Sequence, residues 1–206
     1  MLITFEGIEG SGKSTQLSLL HDYLKAKGYS VVKTREPGGT TLGEALRKVL
    51  LRKDLQVLSL SELLIFMAIR AQHVEEVITP ALADGKIVLC DRFVDATFAY
   101  QGFGRNIDLG IIETLNRLVT KGVRPNLTIL LDCDVETGLG RKAESHEMDR
   151  FEQETVSFHR RIQEAYIKLS QEEAKRFFIV DGRLSVSEGQ EKIREKVERL
   201  LTNRGI

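Results

Sequence analysis

The segment Gly7-Ile8-Glu9-Gly10-Ser11-Gly12-Lys13-Ser14 fits the pattern G-x-x-x-x-G-K-[ST] and directly follows the apolar run 2–5. That run reads as a buried strand. After Thr15, Leu17, Leu20 and Leu24 recur at helical spacing, so the glycines fall at a strand-to-helix turn. Such a turn is built to bind an anion. Without Cβ atoms the glycines let backbone N–H groups converge, and the following helix offers unsatisfied amides and the positive end of its dipole. Residues 7–15 are expected to cradle the phosphates of a nucleotide, with Lys13 reaching the β- and γ-phosphates and Ser14 ligating Mg²⁺.

A chain of 206 residues with 42% apolar content can bury one sizeable core, which favours a single domain with a loop insertion. Thirty basic residues balance thirty acidic ones, so no net field argues for nucleic acid or an anionic membrane. Positive charge must be gathered locally. Cys90 and Cys133 each adjoin an aspartate at the end of an apolar run. They are expected as small buried side chains in neighbouring strands of a reduced protein. Without a leader pattern or an apolar run of membrane length, the expected location is the cytoplasm.

Continuous β-rich runs at 2–5, 30–34, 87–90, 127–131 and 177–180 alternate with helical patterns. This describes an α/β fold with a parallel sheet covered on both faces. Leu42, Ala45, Leu46, Val49 and Leu50 form an apolar stripe expected in the core. So do Ile112, Leu115 and Val119; Phe158, Ile162, Ala165 and Leu169; and Ile193, Val197, Leu200 and Leu201. Ser59-Leu60-Ser61-Glu62 has capping-box spacing and opens a helical pattern that Pro80 is expected to stop.

Open parallel sheets bind ligands at the carboxyl ends of their strands. The second strand is followed by Arg35-Glu36-Pro37-Gly38-Gly39-Thr40, and the third by Asp91-Arg92-Phe93. An aspartate closing an apolar strand in a sheet with a phosphate loop is positioned to hold Mg²⁺ directly or through water. The planar fork of Arg92 suits bidentate contact with a second phosphate. Thr97, Tyr100 and Gln101 lie near the same edge. They either hold a base or pack the core, and the residues alone do not separate these roles. The polar stretch at about 138–151 reads as a lid able to bring Arg141, Lys142 or Arg150 to a transferring phosphoryl group.

A kinase whose acceptor is a hydroxyl needs a base, whereas a phosphate acceptor is already ionised near neutral pH, its second pKa being about 6. Such a site should instead be rich in arginines. Arg35, Arg70, Arg92 and the lid arginines meet that demand and favour a nucleoside-monophosphate kinase. A nucleotide-dependent switch is disfavoured by the lack of any Asn-Lys-x-Asp motif.

Phe5-Glu6-Gly7 with Glu9 and Gly12-Lys13-Ser14-Thr15, then 35–40, Phe66 with Arg70-Ala71-Gln72-His73, Asp91-Arg92-Phe93 and Ala99-Tyr100-Gln101-Gly102 together resemble the bacterial thymidylate kinase family. The last third matches mainly through Asp149-Arg150-Phe151-Glu152. The resemblance implies a P-loop nucleoside-monophosphate kinase with a five-stranded parallel sheet and a lid. It implies transfer from ATP to dTMP with Mg²⁺, for dTTP synthesis, by a homodimer. Phe66 would stack on thymine, Arg70 donate to the base, Arg35 and Arg92 hold the acceptor phosphate, and Pro37 wall the pocket. Thr97, Tyr100 and Gln101 would surround base and sugar, with Tyr100 where a 2′-hydroxyl would crowd. Glu9 would face the 3′-hydroxyl or the metal. Some members carry an arginine in the phosphate loop; here Gly10 follows Glu9, so the lid would supply it from Arg141 or Arg150. Phe93, Ala96 and Ile69 depart from the family's usual residues, and Ala96 removes one polar contact near the base.

Overall fold

A computed structural model describes residues 1–143 and 149–204. The five apolar runs form β1 (Leu2–Glu6), β2 (Val31–Arg35), β3 (Ile87–Asp91), β4 (Leu127–Asp132) and β5 (Phe177–Asp181). They pair in the order β2-β3-β1-β4-β5, every pair parallel. β1 is central, with Phe5 in register with Asp91 of β3 and Ile129 of β4.

Because β1, β3 and β4 are covered on both sides, successive residues feed different cores. Ile3, Phe5, Leu89 and Ile129 pack against Leu17, Leu20 and Leu24 of α1 (Lys13–Ala26) and Ile193 and Val197 of α9 (Val186–Thr202). Leu2, Val88 and Cys90 face the other way, against Val74, Ile78 and Phe93. Ala81 of α4 (Thr79–Ala83) joins that cluster, and Val135 of α7 (Val135–Ala143) and Ile162 of α8 (Val156–Glu172) pack with Leu130 of β4. The remaining α-helices among the described residues are α2 (Thr41–Leu51), α3 (Ser59–His73), α5 (Val94–Thr97) and α6 (Leu109–Thr120). Phe158, Ile162, Ala165 and Leu169 of α8 are buried as expected. Thr155 caps α8 by accepting from the Phe158 N–H.

Several expectations are corrected. Ser59-Leu60-Ser61-Glu62 forms no capping box. α3 begins without a side-chain cap, and Glu62 is turned fully inward, where it accepts from Gln101, Arg105 and Arg150. Pro80 does not stop the helix. One π-helical turn at Val74–Ile78 lets the Thr79 N–H reach back to the Val74 carbonyl, and Pro80 enters in the first turn of α4, where a missing N–H costs little. The α2 stripe is not core: Leu50 is buried, but Leu42 is 47% and Val49 40% exposed. Cys90 and Cys133 are buried and free, yet β1 separates their strands, so they are not neighbours. Residues 138–143 of the expected lid are the end of α7; 144–148 lie outside the described residues. No described helix is long and apolar enough to cross a membrane.

Candidate active site

The loops after β1, β2 and β3 meet at one sheet edge because their backbones are bonded in series. The Arg92 N–H donates to the Phe5 carbonyl at 3.0 Å, and the Glu36 N–H to the Asp91 carbonyl at 2.9 Å. Between them opens a cavity of about 420 Å³. Its phosphate-loop wall includes Glu9, Gly10, Gly12, Lys13, Ser14 and Thr15. Arg35, Pro37, Phe66, Arg70, Asp91, Arg92, Thr97, Tyr100, Gln101 and Arg141 also line it, whereas Gly7, Ile8, Ser11 and Arg150 of the expected set do not.

Gly7, Gly10 and Gly12 take φ values of 138°, 69° and 95°, where side chains are disfavoured. α1 starts at Lys13 with no side-chain cap, leaving its first amides for an anion. Lys13 Nζ meanwhile folds back onto the Ile8 carbonyl at 2.6 Å. Burial and the nearby Arg92 push its pKa down to about 8, against the pull of Asp91, Glu9 and Glu6. An anion in the loop would favour the ammonium and raise that pKa again. Gly10 also meets α7: a Cβ there would lie 1.9 Å from the Gly138 carbonyl, and one on Gly138 would lie 2.5 Å from the Glu9 carbonyl.

Ser14 Oγ donates to Asp91 Oδ2 at 2.5 Å. A hydroxyl and a carboxylate side by side next to a phosphate cradle fit Mg²⁺, which keeps several waters and takes one or two protein oxygens plus phosphate. Among the described residues no group of three or more His, Cys, Asp or Glu side chains forms a metal cage.

Arg92 holds a left-handed backbone, φ 67°, a strained choice for a side chain with a Cβ. That turn aims its guanidinium at the Gly7 carbonyl (2.8 Å), Tyr166 Oη (3.2 Å) and Glu9 Oε1 (3.1 Å), with the Tyr100 ring beneath it. Tyr100 Oη donates to the same Glu9 oxygen at 2.6 Å. Burial opposes ionisation of Glu9, but Arg92, His159, Lys13 and Tyr100 outweigh it and hold its carboxyl well below the usual range.

Behind the cavity Arg70 is only 1% exposed. Its fork donates to Glu36 Oε2 (2.7 Å), Thr97 Oγ1 (2.8 Å), Asn116 Oδ1 (2.5 Å) and the Phe93 carbonyl (2.9 Å). Glu36 precedes a cis peptide bond to Pro37 and also binds His73 Nδ1 at 2.9 Å. Phe66 meets Phe151 edge to face at 6.0 Å. Arg35 is half exposed and paired with Glu44.

The two lid arginines part company. Arg141 lines the cavity, whereas Arg150 is drawn away to the Leu50 carbonyl (2.9 Å) and buried Glu62 (2.7 Å). Sequence reasoning missed Arg47, which lines the cavity and donates to the Pro37 carbonyl at 2.7 Å. Its position on the polar side of the α2 stripe carried no signal. It also missed Glu6, fully buried beneath Arg92, which accepts from the Phe93 N–H and Tyr166 Oη. Burial and Asp95 push its pKa up to about 8.

A sequence profile for a family described as thymidylate kinase matches residues 5–193. A thymidylate kinase from Pelobacter propionicus is 51% identical over 209 residues, covering 98% of this chain and 94% of that one. One from Geotalea daltonii is 53% identical over 195 residues, covering 90% and 91%. The crystal structure of thymidylate kinase from Ehrlichia chaffeensis superposes with a TM-score of 0.78 at 37% identity, covering 96% of this chain and 98% of that one. Phosphate loop, arginine-lined cavity, sheet order and full-length similarity converge, and the chain belongs to the thymidylate kinase family.

Proposed function

We propose that this chain transfers the γ-phosphoryl group of ATP to the phosphate of dTMP, giving ADP and dTDP. The observation that carries the reading is the gathering of Arg35, Arg47, Arg70, Arg92 and Arg141 around one cavity beside the phosphate loop. Two polyanions must be brought together there and the charge of the transferring group neutralised. The acceptor supplies its own nucleophile, so no base is required.

Residues 7–15 hold the ATP phosphates through backbone amides, with Lys13 adding charge. Ser14 and Asp91 would hold Mg²⁺, which would supply charge neutralisation for the transferring group. Arg35 and Arg92 clamp the acceptor phosphate. Phe66 stacks on the base, Pro37 walls the pocket and Arg70 donates to the base. Thr97 and Gln101 shape that pocket while bonded to Arg70 and Glu62. Arg141, on the cavity wall, takes the lid's part in transfer, and Arg150 fixes the segment behind it. Asp91→Asn raises the Mg²⁺ concentration for half-maximal rate by about 10- to 100-fold, measured by Mg²⁺ titration of turnover at saturating nucleotides.

The deciding assay follows ADP release with ATP, Mg²⁺ and each of dTMP, dUMP, CMP, AMP and thymidine. Fastest turnover with dTMP is the expected result. Much faster turnover of another acceptor assigns a different nucleoside-monophosphate or deoxynucleoside kinase.

The enzyme acts as a homodimer in the cytoplasm. Support for the dimer comes from α2, α3 and α6, which pack together and each carry exposed apolar pairs at same-face spacing: Leu42 and Val49, Leu60 and Leu64, Ile111 and Leu118. Leu64→Lys shifts the sedimenting species from dimer to monomer; an unchanged dimer moves the interface elsewhere.

A further inference from the structure

His159 lies on α8 with none of its surface exposed, next to Phe158, whose ring it meets edge to face. Its Nδ1 sits 3.4 Å from Glu9 Oε2. Among the described residues neither of these atoms, nor His159 Nε2, has a hydrogen-bond partner, and all three are buried. A buried donor and a buried acceptor left unpaired each carry a desolvation cost, and here they face one another. The other carboxylate oxygen, Oε1, already takes Tyr100 Oη and Arg92 Nη2, both on cavity residues.

We propose that His159 is a positioning residue for Glu9: by taking Oε2 on the α8 side it fixes the carboxylate plane and presents Oε1 to the acceptor's sugar. The proposal rests on the reading of Glu9 as an acceptor-side residue. The imidazole itself does not touch substrate. It acts through the orientation of the one carboxylate in the phosphate loop, and it ties that loop to α8, the helix after the lid. A 3.4 Å separation closes to a hydrogen bond with a shift of about half an ångström, small enough to accompany substrate binding.

The test uses the full-length protein with ATP and either dTMP or its 3′-deoxy analogue. His159→Leu raises KM for dTMP by roughly tenfold or more, the loss expected for a hydrogen bond to a charged group. Under the same conditions kcat and the KM for ATP change by less than about twofold. Its preference for dTMP over the 3′-deoxy analogue shrinks by a similar factor. His159→Asn, which keeps a donor near the old Nδ1, recovers most of the lost affinity. In a Glu9→Gln background, adding His159→Leu changes KM for dTMP by less than about twofold, because the interaction is already gone.

An unchanged KM for dTMP in His159→Leu, a proportional loss affecting both substrates, no rescue by His159→Asn, or additive penalties with Glu9→Gln overturns the proposal. Should His159→Leu fail to fold, as read by thermal melting, His159→Phe carries the same comparison. If the unaltered protein handles dTMP and its 3′-deoxy analogue alike, the sugar-facing reading of Glu9 falls, and the cycle between positions 9 and 159 still decides whether the two are coupled.

Discussion

Arg92→Ala lowers kcat/KM for dTMP by about 10²- to 10³-fold, equivalent to roughly 3 to 4 kcal/mol of transition-state stabilisation. Alanine keeps the Cβ, so the strained left-handed backbone at φ 67° is unchanged and the loss reports the guanidinium. That group is fixed by the Gly7 carbonyl, Glu9 and Tyr166 and laid over the Tyr100 ring, so it needs no reorganisation to meet charge in the cavity. Arg92→Lys restores little, because a single ammonium cannot hold the loop and an incoming phosphate at once. Steady-state kinetics with dTMP varied at saturating ATP, together with equilibrium ATP binding, checks this. ATP affinity should move far less than kcat/KM for dTMP. Turnover close to that of the unaltered protein would remove Arg92 from the acceptor clamp.

Glu36→Ala is the larger blow to folding. Arg70 is 1% exposed, and Glu36 is its anionic partner. Removing that partner strands a buried cation, a change that costs about 3 to 5 kcal/mol, a large share of a typical stability of 5 to 15 kcal/mol. Urea unfolding followed by circular dichroism should show a midpoint lowered accordingly. Glu36→Ala with Arg70→Met recovers part of the loss, since the orphaned charge has gone. A pH signature follows. Burial opposes the charge on Glu36, but Arg70 and His73 hold its carboxyl below the ordinary range. A carboxylate with a depressed folded pKa stabilises above its unfolded value of about 4.3 and loses that contribution as pH falls through the folded pKa. The unaltered protein therefore loses stability more steeply on acidification below about pH 4 than the Glu36→Ala variant does.

The sheet was legible because both its faces are covered, which makes its strands continuous apolar runs that periodicity detects. The strand ends were legible for the same reason, and most cavity residues sit there. What stayed hidden depends on neighbours distant in sequence. Glu62 has the spacing of a helix cap, but three donors from residues 101, 105 and 150 draw it inward. Leu42 and Val49 have core periodicity, yet among the described residues they stay 47% and 40% exposed. Arg47 reaches the cavity only because α2 packs beside the turn at Pro37. His159 shares the buried face of α8 with Tyr166 and Ser170, and nothing in its spacing marks it out before Glu9 is placed opposite it.

The mutual contact of Gly10 and Gly138 also bears on how such enzymes diversify. The Gly138 carbonyl fills the space a side chain on Gly10 would need, and the Glu9 carbonyl the space a side chain on Gly138 would need. An arginine at position 10 would meet α7 before it met a nucleotide, so a chain whose arginine stands on α7 cannot also carry one at position 10 unless that helix moves. Where the charge-neutralising arginine can stand is thus tied to where α7 packs against the phosphate loop.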